Sequence, residues 1–456
     1  MKPIGLLLSI FVVFSGSHAS ELSGSIVIDS EQQLKESRVL SNPAAKGTLK
    51  DPYVIQGYRI SSPLGGFCLQ IKNVPKVIHL RDMSCSVAEG GFRFESVKSL
   101  VLEDIRISKI SGFFGVFPGG DGKDGIGLHL VDTGKVVLKG KSEVSFIYGG
   151  AGGAGAPGGG DAGHGGDAYS ILVEGQNTSL EINDLEISYI YGGAGAAGGA
   201  GLLSQSGGQG GNGGTALALA VRGELKSLKL KSPSLSKIYG GAGGAGAVGA
   251  VSGGGGGPGG QGGSAFGVVA LPSPKATAVE VASGVFKDFY GGAGAAGAAG
   301  AWGNVGSGGA GGAGGSGGTA TVMELGNPGD QLRWSKNLVE GVFGGAGAAG
   351  GAGALGSMGS GGEGGSAGDG GHARVIHFDQ LKSLNVVDNQ IHKILGGAGG
   401  AGAAGGLGLW GRLASGGKGG LGGQGQFLPP TLLEWDPDKN EVSTVKDGLD
   451  GLNGLN

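Results

Sequence analysis

The sequence predicts an all-β solenoid, specifically a right-handed parallel β-helix in which stacked polyglycine II hairpins are inserted at one corner of successive coils. Three observations support this fold class: a strand-like block recurs along the chain, a glycine-rich tract follows each copy, and the tract glycines recur every third residue. Of 456 residues, 112 are glycine. Ordering so many glycines is entropically unfavourable in an ordinary compact enzyme domain, so a special architecture is expected.

The recurring block has the pattern of two short strands separated by a turn. Ser99–Gly112 (SLVLEDIRISKISG) returns as Ser179–Gly192 (SLEINDLEISYIYG) and again from residues 227, 278 and 383. Apolar and polar residues alternate in each half, which is the period of a half-buried strand. From residue 136 onward the copies begin 43 to 53 residues apart, a spacing typical of repeat proteins.

The glycine tracts keep a period of three. Glycines fall at 149, 152, 155 and 158, and a second phased run follows at 160, 163 and 166. This is the period of a polyproline II-type helix, which has no internal hydrogen bonds. With glycine along one edge, two such helices approach closely enough for their N–H and C=O groups to pair. Because a flexible linker has no reason to keep this phase, the tracts are predicted to be ordered hairpins of two arms.

The first residues have the features of an export signal. Lys2 precedes an apolar run over residues 4–14, and Ser17-His18-Ala19 suits a cleavage site. The run is too short to span a bilayer. We therefore expect a signal peptide at 1–19, then an N-terminal cap with bare coils at 20–110, coils with hairpins at 111–427, and a C-terminal cap and tail at 428–456. The mature protein is expected to be secreted, extracellular or at the cell surface, with a periplasmic location left open and no transmembrane segment.

The chain has two cysteines, Cys68 and Cys85. Aligning two bare coils at an offset of 22 residues places Cys85 level with Ile107 and Cys68 on a different strand. An export route permits a bridge, but this register favours two buried free thiols.

Two stretches resemble known families. Gly47–Ile60 (GTLKDPYVIQGYRI) and the coils after it, about residues 45–110, resemble the opening of right-handed parallel β-helix proteins of the pectate-lyase-like or NosD-like type. The phased tracts resemble the polyglycine-helix sandwich of T-even phage tail-fibre adhesins and, less closely, the snow flea antifreeze protein. These resemblances imply the fold and three function classes: adhesin, carbohydrate-active enzyme and ice-binding protein.

Candidate chemical sites are better explained as structure. Asp82, Asp104 and Asp184 occupy equivalent positions, which is the pattern of a stacked acidic site, but these positions lie at a turn and other copies have Ser232, Lys141 and Asn337 there. The segment Gly119–Gly127 matches a calcium nonapeptide once, without the tandem copies such sites need. His164 between Asp161 and Asp167 is expected to be an exposed spacer. No catalytic, cofactor-binding or metal-binding residue is therefore predicted, and 33 basic against 36 acidic residues do not favour nucleic acid.

The hairpin turns carry large apolar residues where the glycine phase relaxes. The predicted binding residues are Leu202, Leu203, Val251, Trp302, Val305, Leu355, Met358, Leu409, Trp410 and Leu413. Such clusters mark interaction surfaces when they are exposed, whereas they close the stack if they pack on one another. Because the arms lengthen along the chain, the turns at 301–307, 354–360 and 406–415 are the predicted recognition surface.

The resulting expectation is a non-catalytic adhesin that binds an unknown surface receptor, glycan or protein without a cofactor. A polysaccharide lyase-like β-helix enzyme is the alternative, favoured by the N-terminal resemblance. An ice-binding protein is the second alternative. It is favoured by abundant alanine in the arms and opposed by Glu363, Arg412, Lys418 and Trp410, which are expected to interrupt a flat face.

Overall fold

The computed structural model describes residues 20–62, 66–270, 278–304, 306–326, 331–378, 381, 383–409, 412–428 and 440–454. This part of the chain is almost entirely β: its 26 strands belong to one sheet, and their pairings are parallel. One short helix, α1 (Glu31–Glu36), begins at Ser30, whose Oγ accepts the Gln33 amide. The expected signal peptide lies outside the described residues. Within these ranges no helix has the length and apolar character to cross a membrane.

The strands divide by their pairing partners into three series, each a succession of parallel neighbours. The first series contains β1 (Ser20–Ser23), β4 (Tyr58–Ser61), the later parts of β6 (Val77–Ala88) and β8 (Ser99–Ser111), β11 (Ser142–Tyr148), β13 (Leu185–Tyr191), β15 (Ser234–Tyr239), β18 (Val285–Tyr290), β21 (Leu338–Phe343), β24 (Asn389–Leu395) and β26 (Asn440–Lys446).

The second and third series follow the same rule. The second contains β2 (Ile26–Ile28), β5 (Phe67–Lys72), β7 (Gly90–Glu95), β9 (Gly125–Val131), the earlier parts of β12 (Ala168–Asn183) and β14 (Ala216–Lys231), β16 (Ala265–Ala270), β19 (Ala320–Leu325), β22 (Ala373–Phe378) and β25 (Gly425–Gln426). The third contains β3 (Tyr53–Gln56), the earlier parts of β6 and β8, β10 (Lys135–Lys139), the later parts of β12 and β14, β17 (Ala278–Ala282), β20 (Gln331–Ser335) and β23 (Ser383–Val387).

The core consists of side chains that stack in register along each series. In the third series, Leu100, Val136, Leu180, Leu228 and Val279 are successive partners, each at most 2% exposed. Because side chains alternate along a strand, every second residue joins such a column and the rest face outward. The predicted register is confirmed where it can be compared, since Leu80 pairs with Leu102 and Cys85 with Ile107.

The equivalent aspartates lie where the chain passes from the third series to the first: Asp82 and Asp104 within the continuous strands β6 and β8, and Asp184 between β12 and β13. Asp82, Asp104 and Asp184 have positive φ values of 48°, 53° and 56°, a conformation that Asp tolerates better than most residues. The Oδ1 atom of Asp104 accepts the Lys141 amide at 2.9 Å. Of the three substituted positions named from the sequence, Ser232 is correct, whereas Lys141 and Asn337 are each one residue too late. Lys139 pairs with Glu103, which places Gly140 level with Asp104, and Ala282 pairs with Ser335, which places Lys336 level with Ser283.

The expectation of two free thiols is wrong. Cys68 in β5 and Cys85 in β6 form a disulfide with their Cα atoms 6.0 Å apart. Both residues are buried. The predicted register concerns only residues that stack within one series. These two cysteines belong to strands of different series, and their side chains meet in the shared interior.

The glycine tracts all occupy the same junction in the described chain. Each follows a first-series strand and precedes a second-series strand, at residues 112–124, 149–167, 192–215, 240–264, 291–319, 344–372 and 396–424. We call the part of a tract before its turn the first arm and the part after it the second arm. Residues 447–454, which follow β26, continue the pattern as a lone first arm, because Gly448, Gly451 and Gly454 donate to the preceding tract.

Candidate binding surface

Backbone hydrogen bonds hold the tracts together. First arms bond to first arms, as in Gly195 N to Ala242 O at 2.9 Å, and second arms to second arms, as in Gly210 N to Pro258 O at 3.0 Å. Within one tract the Gly211 amide donates to the Ala196 carbonyl at 2.8 Å. The backbone groups of the arms are thereby paired in the absence of a strand ladder.

The phased glycines are required by the closeness of this pairing. A Cβ atom at Gly246 would lie 1.9 Å from the Gly257 carbonyl oxygen, and one at Gly297 would lie 2.0 Å from the Gly312 carbonyl oxygen. Neither distance is compatible with a side chain, because the obstacle is backbone. The three-residue period therefore records which edge of each arm meets another arm.

In the six tracts from residue 149 onward, most outward positions of the first arms are alanines, and these alanines form a regular, uncharged face. Sixteen of them are exposed: Ala151, Ala154, Ala194, Ala197, Ala200, Ala242, Ala245, Ala293, Ala296, Ala299, Ala346, Ala349, Ala352, Ala398, Ala401 and Ala404. At the base of this alanine face, Tyr148, Tyr191, Tyr239, Tyr290 and Phe343 stack with ring centroids 4.8 to 5.2 Å apart.

Charged residues that were expected to interrupt an alanine face lie on the other layer. Glu363 and Lys418 belong to second arms, where their carbonyls accept the amides of Gly311 and Ala367. Arg412 follows the turn of its tract, and its carbonyl accepts the Gly361 amide at 3.4 Å. The sequence did not reveal this sorting because it depends on which arm a residue occupies, and both arms have the same glycine period.

Several outward positions of the second arms carry side chains that accept backbone amides from the next tract. Asp161 Oδ1 accepts the Gln209 amide at 2.9 Å, and Asn212 Oδ1 accepts the Gln261 amide at 2.8 Å. His164, expected to be a mere spacer, accepts the Asn212 amide through Nδ1 at 2.8 Å. At these positions, the side chain pairs a backbone amide of the next tract that makes no hydrogen bond to another backbone group.

The predicted binding residues at the turns are exposed wherever the structure describes them. Their exposed fractions run from 48% at Leu355 to 87% at Leu203. The described members are Leu202, Leu203, Val251, Trp302, Leu355, Met358, Leu409 and Leu413. Val305 and Trp410 lie outside the described residues.

Neighbouring turns are joined by hydrogen bonds between their backbones. Gly303 N donates to Leu355 O at 3.1 Å, and Gly356 N donates to Leu407 O at 3.0 Å. Earlier in the chain, Gly201 N donates to Val248 O at 3.0 Å. The turns therefore form a continuous row, along which large apolar side chains face solvent. We call this row the tip edge.

A second exposed apolar cluster lies in the shortest tract and was not predicted from the sequence. Phe113, Phe114, Val116 and Phe117 are 51% to 72% exposed. They appear in the sequence as GFFGVFPGG at residues 112–120, where the three-residue glycine period is interrupted.

A polar groove crosses the outer side of the N-terminal strands. A cavity of about 190 Å³ is lined by residues that include Arg59, Asp82, Asp104, Arg106 and Lys141. Two of these charged groups have structural partners: Asp104 accepts the Lys141 amide, and Arg106 Nε lies 3.3 Å from Glu143 Oε2. If the chain were a polysaccharide lyase-like enzyme, this groove with its two aspartates would be the candidate substrate site.

The acidic residues of the calcium-like segment are also engaged. Asp121 Oδ1 and Asp124 Oδ1 accept the amides of His164 and Asp167, each at 2.8 Å. Among the residues that the structure describes, no group of three or more His, Cys, Asp or Glu side chains is placed to hold a metal ion.

The chain matches no protein-family model, no curated protein and no solved structure. Its resemblances to β-helix proteins and phage adhesins therefore rest on its own residues, and its function must be argued from its surfaces.

Proposed function

We propose that this chain is a secreted or cell-surface, non-catalytic binding protein that attaches to its partner through the tip edge. In this proposal the three strand series are the walls of a right-handed β-helix, and the tracts are polyglycine II hairpins that leave it at one corner. The common junction of the tracts and their bonding every third residue support this architecture.

One observation carries the functional proposal: the large apolar side chains of the turns are exposed side by side along one edge. Soluble proteins rarely expose contiguous apolar patches without using them, and aromatic residues such as Trp302 are frequent hot spots of contacts. The hairpins hold these side chains away from the β-helical body, which is how a recognition surface is presented.

The disulfide between Cys68 and Cys85 supports the exported location. Disulfides persist in oxidising compartments outside the cytosol. This agrees with the signal peptide expected at residues 1–19.

The binding proposal is tested by replacing exposed tip residues together. The variant Trp302→Ser, Met358→Ser and Leu409→Ser should lose attachment to the cells or glycans that the wild-type chain retains in a panel of whole cells and a glycan array. Its melting temperature and far-UV spectrum should be unchanged, because these side chains are exposed. The matched control is Ala296→Ser, Ala349→Ser and Ala401→Ser on the alanine face, which should bind normally. Attachment that survives the tip variant contradicts the proposal.

Ice binding is a second candidate, favoured by the regular alanine face. Its outward positions repeat about every 9 Å along an arm, from a rise of ~3.1 Å per residue, and charges lie on the opposite layer. Thermal hysteresis should then be lost in Ala296→Lys and Ala349→Lys but retained in the tip variant. A protein without thermal hysteresis excludes this candidate and leaves the binding proposal standing.

A further inference from the structure

Two histidines belong to the series of second-arm side chains that join consecutive tracts. We call this series the acceptor ladder; its titratable members include Asp121, Asp124, Asp161, His164, Asp167, Asp369 and His372. His164 Nδ1 accepts the Asn212 amide at 2.8 Å, and His372 Nδ1 accepts the Gln424 amide at 2.9 Å. Each histidine thus connects its tract to the next one.

The direction of these hydrogen bonds fixes the protonation state of the rings. A backbone amide can only donate, so Nδ1 must carry a lone pair and the ring must be the neutral tautomer with its proton on Nε2. A second proton on Nδ1 would bring two donors face to face. Histidine is the side chain that gains this proton near pH 6.

We propose that His372 makes the join between the last two hairpin tracts acid-sensitive, so that protonation at Nδ1 releases the Gln424 amide and loosens the stack there. The inference is independent of what the tip edge binds. The join lies between the tracts 344–372 and 396–424, whose turns carry Leu355, Met358 and Leu409. Acid would therefore loosen the base of the two hairpins that present these side chains.

The groups near the two histidines differ. At His164 the neighbouring tracts supply Asp121, whose Oδ1 accepts the His164 amide, and the uncharged Asn212. His372 faces Arg374 and His377 from the following strand, Asp447 from the C-terminal arm, and Gln424 from the next tract.

The pKa of His372 is shifted in the direction that makes this join less stable in acid. Burial lowers the pKa of His372 below its ordinary value, and Arg374 lowers it further, whereas Asp447 opposes them. The unfolded chain therefore takes up the proton at higher pH than the folded chain does. Stability from this group is complete above the ordinary pKa of about 6.5 and is lost as the pH falls through the window below it.

The ladder itself supplies a substitution that removes the proton and keeps the bond. Asn212 occupies the position of His164 one tract later, since the carbonyls of both accept an amide from the preceding tract. Its Oδ1 accepts the Gln261 amide at 2.8 Å. Asparagine therefore replaces histidine in the ladder without loss of the hydrogen bond.

The test is hydrogen exchange of the full chain at pH 7.5 and pH 5.0, corrected for intrinsic exchange. In the wild type, protection of the Gln424 amide should fall about ten-fold at pH 5.0. In the double variant His164→Asn and His372→Asn it should stay constant. The control His392→Asn changes a histidine of strand β24 whose Nδ1 lies 2.7 Å from Ser443 Oγ. Its loss of protection at pH 5.0 should equal that of the wild type.

Two outcomes overturn the inference: constant protection in the wild type, or an equal loss in the double variant. A second measurement uses the wild type alone and therefore does not depend on the folding of any variant. Nitrogen NMR of both imidazoles at pH 7.5 should show the tautomer protonated on Nε2, and a ring protonated on Nδ1 at that pH contradicts the proposal.

Discussion

The strand-built spine and the glycine tracts hold together by different means. In the spine, large side chains such as Phe286 and Trp334 are fully buried and stack with centroids 5.1 Å apart. In the tracts, backbone meets backbone and a single Cβ at Gly297 would collide with the Gly312 carbonyl. The spine is therefore stabilised mainly by apolar burial, whereas the tracts are stabilised by paired backbone groups. A substitution that empties space should harm the spine, and one that fills space should harm the tracts.

The largest expected effect is a truncation in the spine. Phe286→Ala removes a ring that is buried beneath the first series, and it should lower the free energy of unfolding by about 3–5 kcal/mol. Leu421→Ala, which removes an exposed side chain of a second arm, should change it by less than about 0.5 kcal/mol. Denaturant unfolding followed by far-UV circular dichroism measures both. Equal losses would contradict the assignment of Phe286 to the core.

The disulfide should rank next, because it constrains the N-terminal part of the spine. Its cysteines are 17 residues apart. Closing a loop of that size contributes about 3 kcal/mol in the chain-entropy treatment. Cys68→Ala with Cys85→Ala should therefore lower the unfolding midpoint, and a reducing agent should lower the wild-type midpoint without affecting the variant. A wild-type midpoint that is insensitive to reduction would show that the bridge does not form.

The tracts should be destabilised by an added side chain, whereas the spine is destabilised by a removed one. Gly297→Val introduces a side chain where the nearest atom is a carbonyl oxygen, and it should lower the free energy of unfolding by about 1–3 kcal/mol. Ala296→Ser, at the neighbouring outward position, should change it by less than about 0.5 kcal/mol. Matching losses of melting temperature in the two variants would mean that the tracts are not ordered arms.

This contrast explains how much of the fold was predictable. Alternation in Ser99–Gly112 and its copies predicted parallel strands, and the offset of 22 residues predicted the partners of Leu80 and Cys85. The glycine phase predicted one arm edge that lacks room for a side chain, as at Gly246, but not the second one, where a Cβ at Gly244 would lie 1.8 Å from the Ala196 carbonyl oxygen. Both signals are local periods, which a sequence records directly.

The contacts that the sequence did not predict depend on which arm or which strand series a residue occupies. The free thiol prediction failed because Cys68 and Cys85 meet across the interior rather than along a series. Glu363 and Lys418 were assigned to the alanine face because both arms share one period. His164 gave no sign of its partner, since the Asn212 amide comes from the next tract, 48 residues later.

The smallest expected effect concerns Glu103, a carboxylate on the outer side of the spine. Glu103 pairs with basic side chains, whereas carboxylates in the tracts, such as Asp161, accept backbone amides. Glu103 Oε2 lies 3.1 Å from Lys139 Nζ, 3.2 Å from an Arg81 guanidinium nitrogen and 2.8 Å from His79 Nε2. Hydrogen bonding to Lys139, followed by Arg81 and His79, lowers the pKa of Glu103 to about 2.

Because this pKa is depressed in the folded state, the stabilisation is present above the ordinary value of 4.5 and is lost as the pH falls toward 2. Glu103→Gln should therefore be less stable than the wild type at pH 6, by less than about 1 kcal/mol because the surrounding cations are partly exposed. The difference should vanish as the pH approaches 2. Glu363→Gln, an exposed carboxylate in a second arm, controls for the change in net charge. A Glu103→Gln difference that stays constant from pH 6 to pH 2 would show that the lost interaction is not ionic.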